Sequence, residues 1–180
     1  MILEGARTSI GLLWSQYHFR NNRDRITTFT NAVSSAKQAL IIMPLYRREF
    51  LPTVMVIELL RKKFSEENLT FVSTDHGLEA MRLLPHSQFI HILPSEVSVF
   101  LVPGKDLVER IRKKKYDLAV DLNLDLVLPS GYICKASEAK VRVGFSGKRA
   151  DTFYNFQVHP DLTLGRKLIY DRLVKCLKMF

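Results

Sequence analysis

A chain of 180 residues with 47% hydrophobic and 25% charged composition is long enough to bury one sizeable core and too apolar for wholesale disorder. Its 27 Lys and Arg against 18 Asp and Glu give a net charge of +9, which favours acidic partners such as nucleic acid, anionic lipid or a phosphorylated sugar without choosing among them. No apolar run approaches a bilayer span, no signal-peptide pattern opens the chain, and Cys134 and Cys176 have neither CxxC spacing nor a histidine at ligand distance, which argues against a secretory leader, a disulfide framework and a zinc site.

From the N-terminus, Ile2, Leu3, Ala6, Ile10, Leu13 and Tyr17 recur at helical spacing, with Glu4, Arg7, Thr8 and Ser15 on the other side. Trp14 widens the apolar face. The pattern predicts a helix that buries this face against the domain or a partner subunit; an interfacial membrane anchor is the alternative. Leu13, Trp14 and Tyr17 are the expected partner or membrane contacts. After the polar break Asn21-Asn22-Arg23-Asp24, a second helical pattern runs through Ile26, Phe29, Val33 and Ala36. Residues 1–38 are therefore expected to form a helical extension packed on a main domain of residues 39–180.

From Ala39 the texture alternates short apolar runs with helical patterns, as βα units around a mostly parallel sheet do. Strands are predicted at residues 39–43, 70–73, 89–92, 118–121, 141–143 and 156–158, about six in all. Helices are predicted through Phe50–Phe64, with Pro52 acceptable in the first turn, and through Gly77–Leu84, Lys105–Lys115 and Leu126–Ala136. A last helix carries Ile169, Leu173 and Leu177, with Asp161 or Thr163 as its cap. The fold class is α/β, one open Rossmann-like sheet flanked by helices, with two extra helices in front.

Neither GxGxxG nor GxxxxGK[ST] occurs, so the common dinucleotide and P-loop cradles are missing, and GxSxG and HExxH are missing too. No cofactor or metal is expected. Ligands of open α/β sheets bind outside the carboxyl ends of the strands, which directs attention to the post-strand loops. In DLNLD, Asp121, Asn123 and Asp125 alternate, although capping and turn formation use the same residues. Asp75-His76 reads as an Asx-turn more than an acid/base couple, and His86 and His91 as surface or structural. Lys113-Lys114-Lys115 is a solvated helix end. In GFSGKRA, two glycines with Lys148 and Arg149 suit either an anion or a plain basic turn. Basic residues interleaved with exposed aromatics are not seen, which argues against nucleic acid.

KYDLAVDLN, EAKVRVGFSG and TFYNFQV together resemble the N-terminal half of the family 9 glycosyltransferases, the bacterial heptosyltransferases, over about residues 39–178. The resemblance implies the acceptor-binding half of a GT-B fold, with the donor-binding half outside these 180 residues. It also implies that the Gly-Asp pair after the first strand, whose carboxylate is the proposed general base, falls on Arg48 and Glu49. An arginine there removes easy access to positive φ and fills space, and its charge is expected to lower the pKa of Glu49.

The expected function is a non-catalytic binding or scaffold subunit that holds another protein chain or an anionic ligand through Arg47, Arg48, Asp121, Asn123, Lys148 and Arg149. The alternative is the acceptor half of a split transferase acting on an envelope glycolipid, with Glu49 as base. The expected location is the cytoplasm, with the inner face of the membrane as the alternative.

Overall fold

The structure is a computed structural model that describes residues 2–22, 24, 31, 33–74 and 85–179, with backbone alone for 2–4. Among them are helices α1 (Ile2–Phe19), α2 (Phe50–Lys63), α3 (Lys105–Arg112), α4 (Leu128–Ala136) and α5 (Arg166–Lys178). The strands are β1 (Ala39–Ile42), β2 (Leu69–Ser73), β3 (Gln88–His91), β4 (Leu118–Asp121), β5 (Val141–Phe145) and β6 (Phe156–Val158).

All six strands are parallel, in the order β3-β2-β1-β4-β5-β6. Ala39 lies opposite Leu69 on one side and Leu118 on the other. β1, β2, β4 and β5 are buried along their whole length, which explains why they read as continuous apolar runs rather than alternating ones. The six predicted strands are present with shifts of one or two residues at their ends. The order reverses between β1 and β4, so the chain winds outward in both directions from that pair.

Helices cover both faces. Val56 and Leu60 of α2, with Ile169, Tyr170, Leu173, Val174 and Leu177 of α5, pack on Ile41, Phe71, Val120 and Val143. Leu107 and Ile111 of α3, with Leu128, Tyr132, Ile133 and Ala136 of α4, pack on Leu40, Ile42, Val72 and Ala119. Helix α5 starts after Gly165, which has no side-chain cap; Asp161 instead closes its own turn onto the Thr163 amide at 3.2 Å and pairs with Arg172. The expected cap at Asp161 or Thr163 is thus replaced by a turn just upstream.

Helix α1 lies on the outside of α4. Gly11, Ser15 and Phe19, four residues apart, are its buried line. A Cβ on Gly11 would collide with the Phe100 carbonyl oxygen, so only glycine permits this approach. Ser15 returns its hydroxyl to the Gly11 carbonyl at 2.7 Å, Gln16 reaches the Thr152 hydroxyl at 3.3 Å, and Phe19 packs on Tyr132 with ring centroids 4.8 Å apart.

The apolar face of α1 is therefore not the one that meets the domain. Ile10, Leu13 and Tyr17 are 48%, 57% and 63% exposed, and the small, polar side of the helix meets the domain. Backbone approach to the Phe100 loop selects small residues at the contact, and hydrophobic periodicity alone cannot distinguish a face that meets the body from one that is left outside. Beyond α1, Asp24 is held by two buried cations, Lys135 at 2.7 Å and Arg142 at 2.6 Å.

The second predicted N-terminal helix falls mostly outside the described residues. Its described end, residues 33–38, is turn and coil, with Val33 buried in the α2/α5 core. The predicted helix at 77–84 and the pair Asp75-His76 also lie outside the described residues.

Gly11→Ala is expected to force α1 off the Phe100 loop at a cost of about 1–3 kcal/mol, the usual penalty of overpacking. Urea unfolding measures the loss, and emission from Trp14, which stacks on Tyr132 at 5.9 Å, should shift to the red as α1 moves away.

Candidate functional site at the strand reversal

The reversal between β1 and β4 is where an open α/β sheet parts its loops and forms a crevice at the strand ends. Here the crevice is occupied by the chain's own side chains. Asp121, the last residue of β4, is fully buried. Its Oδ1 accepts from the Asn123 amide at 3.0 Å and from Asn123 Nδ2 at 2.7 Å, and its Oδ2 accepts from the Tyr154 hydroxyl at 2.7 Å. Asn123 also ties the two loops together: its Oδ1 accepts from the Leu45 amide at 2.8 Å, and its Nδ2 reaches the Met43 carbonyl at 3.4 Å and Ser130 at 3.2 Å.

Burial pushes the Asp121 carboxyl up to about 6; its hydrogen bonds from Asn123 and Tyr154 pull the other way, and nearby Glu49 adds to the rise. Tyr154 is raised well above the ordinary tyrosine value, by burial first and then by the Asp121 charge. The ring of Tyr154 lies on the backbone of β5 at Gly144, where a Cβ would come within 2.6 Å of it. Gly144 is thus the vacancy through which Tyr154 reaches Asp121, a close backbone approach of the kind an isolated strand glycine signals.

Glu49 closes the 3-10 turn Arg47–Glu49 at the start of α2. It is only 2% exposed, and its carboxyl accepts a hydrogen bond from the Leu124 backbone. Burial raises its pKa, the Leu124 bond lowers it, Asp125 raises it, and Arg166 and Arg48 lower it by less. Arg48 does lower the Glu49 pKa, as expected, but desolvation raises it by more, because the guanidinium sits in solvent, and the net shift is upward. Arg48 instead lies 5.1 Å from the Tyr46 ring. Neither residue of the Arg48-Glu49 pair has positive φ, so this junction has no need of glycine.

The structure thus gathers Glu49, Asp121 and Asn123 into one buried polar cluster, joined by Tyr154, Ser130 and Tyr170, whose hydroxyl donates to the Leu122 carbonyl at 2.6 Å. The expected cations lie outside this buried cluster, although Arg48 reaches Glu49 through its charge. Arg47 and Arg48 are exposed after β1, whereas Lys148 and Arg149 follow β5, two strands and about 10 Å away at ordinary sheet spacing. In the GFSGKRA loop it is Arg149, at φ 66°, that takes the left-handed conformation, and no glycine does. Tyr154, Ser130 and Tyr170 carry no motif that marks them; Gly144 inside a strand was the one readable signal.

No family model matches the sequence, and no curated protein matches it. Among solved structures, the chain is similar to a glycosyltransferase family 9 structure from Veillonella parvula DSM 2008, with a TM-score of 0.59 and 16% identity. The likeness covers 88% of this chain and 44% of that one, so this chain spans less than half the length of its match. At that identity the likeness is one of fold.

Two results are expected from this cluster. Below pH 4 both folded and unfolded chains hold the Asp121 proton; between about 4 and 6 only the folded one does, so stability falls as pH rises through this window and levels off above it. Urea midpoints from pH 4 to 7.5 should show this decline, on the order of 2–3 kcal/mol at most, and Asp121→Asn should flatten it, leaving the smaller slope of the same sign that Glu49 contributes. Gly144→Ala should displace Tyr154, cost about 1–3 kcal/mol and move the decline to higher pH as Asp121 loses a donor.

Proposed function

We propose that this chain is a binding subunit built on a glycosyltransferase-like half-fold, and that the rim after β1 holds an acidic surface of a partner protein. The observation that carries the reading is the inward orientation of Glu49. A general base must come within hydrogen-bond reach of an acceptor hydroxyl, and the Glu49 carboxyl is spent on the Leu124 amide inside the domain.

What faces outward at the same place is a mixture of apolar and cationic groups. Leu45, Tyr46, Arg47, Arg48 and Leu51 are all exposed, Leu51 at 85%. Tyrosine and arginine with an aliphatic neighbour form the composition of protein-interface hot spots, and net charge of +9 favours an acidic counterpart. Asn123 anchors the start of this rim by accepting from the Leu45 amide.

A second reading, the acceptor half of a split transferase, is favoured by the likeness to the family 9 structure and by the raised pKa of Glu49, which is the direction a general base requires. One comparison separates the two. Purified from its native source, the chain is expected to bring down a stoichiometric protein that Arg47→Glu/Arg48→Glu releases with affinity reduced on the order of tenfold or more. With nucleotide-activated sugars and lipid acceptors it should form no product, alone or with that protein. Sugar transfer that Glu49→Gln abolishes would replace the binding reading with the split enzyme.

A further inference from the structure

The outward face of α1 has no counterpart in the strand-end rim. It sits on α4, in the layer opposite α2 and α5, and so needs its own explanation. An amphipathic helix docked by its glycine and serine side leaves its apolar side in water, and Ile10, Leu13 and Tyr17 follow one another there at spacings of three and four. Val99 and Phe100 are also exposed, in the loop whose backbone Gly11 touches. Ile10, Leu13 and Tyr17 make an apolar strip along the helix rather than scattered single residues.

We propose that this face of α1, centred on Ile10, Leu13, Trp14 and Tyr17, docks onto an anionic lipid bilayer. Among the described residues no helix is long and apolar enough to cross a membrane, so the mode is in-plane, with the helix at the headgroup boundary. Trp14 and Tyr17 suit that depth, having an apolar body and a polar edge.

Charge selects the occupant. The exposed cations Arg7 and Arg20 lie along the helix, and the Arg20 guanidinium sits 3.8 Å from the centre of the Tyr17 ring, at the edge of the strip. Gln16 ties the helix to Thr152, beside the turn that carries Lys148, Arg149 and one acid, Asp151. The charge of Asp24 is taken up by Lys135 and Arg142. A second copy of the chain would bring two molecules of net charge +9 together, whereas an anionic bilayer offers the opposite sign to the same surface.

Trp14 is the only tryptophan of the chain and lies within the face, so its fluorescence reports contact directly. The full chain is mixed with vesicles of phosphatidylcholine and phosphatidylglycerol, or of phosphatidylcholine alone. With the anionic vesicles, Trp14 emission should shift to the blue, be quenched by brominated acyl chains, and accompany flotation; neutral vesicles should do none of this. Ile10→Glu/Leu13→Glu, both at exposed positions, should abolish binding with the thermal midpoint unchanged. Arg7→Glu/Arg20→Glu should weaken it by roughly tenfold or more, since each cation near an anionic surface contributes about 1 kcal/mol. The proposal is overturned by absent flotation on anionic vesicles, by equal binding to neutral ones, by undiminished binding of the Ile10→Glu/Leu13→Glu chain, or by a lipid-free dimer that this double substitution dissolves.

Discussion

Asp121 is buried at the end of β4 with both carboxyl oxygens hydrogen-bonded, and the arrangement of the surrounding loops follows from keeping it so. An ionised carboxyl without partners in this position would be costly, so the chain supplies Asn123 from the same loop and Tyr154 from beyond β5. Asn123 then holds the Leu45 amide, which sets the path of the chain after β1 and the start of α2. Tyr154 requires Gly144 beneath its ring. One buried group thereby connects β1, β4 and β5 where the sheet would otherwise open.

This closure bears directly on function. The strand reversal of an α/β sheet offers a ready crevice, and here it is filled with a satisfied polar network beside the buried Glu49. Leu45, Tyr46, Arg47, Arg48 and Leu51 are the side chains exposed at the same place. Helix α1 repeats the theme on the other layer. Its close approach to the domain is made by Gly11, Ser15 and Phe19, and Ile10, Leu13 and Tyr17 are left exposed.

Much of the fold was legible in the sequence. ALII, LTFVS and LAVD read as strands because burial on both sides of a parallel sheet writes an unbroken apolar run into the local sequence. Less of the site was legible. DLNLD announced a strand end with polar groups, yet alternation could not tell that Asp121 and Asn123 turn inward while Asp125 stays exposed. Only the family resemblance singles out Glu49 in the sequence, and no local pattern in RRE records that its side chain is buried. Tyr154 lies 33 residues from Asp121, and nothing in its neighbourhood marks it as a partner.

The sequence by itself determined that the chain folds as alternating strands and helices, where most of those elements run, and that its charge is strongly positive. These are properties of composition and short-range periodicity, which a single segment carries whatever it later touches. The tertiary structure alone decided the order of the strands, the inward course of Glu49 and the side of α1 that meets the domain. Each depends on a contact between distant residues: Gly11 on Phe100, Leu124 on Glu49, Tyr154 on Asp121. Local pattern records how apolar a position is, and only packing settles what it is packed against.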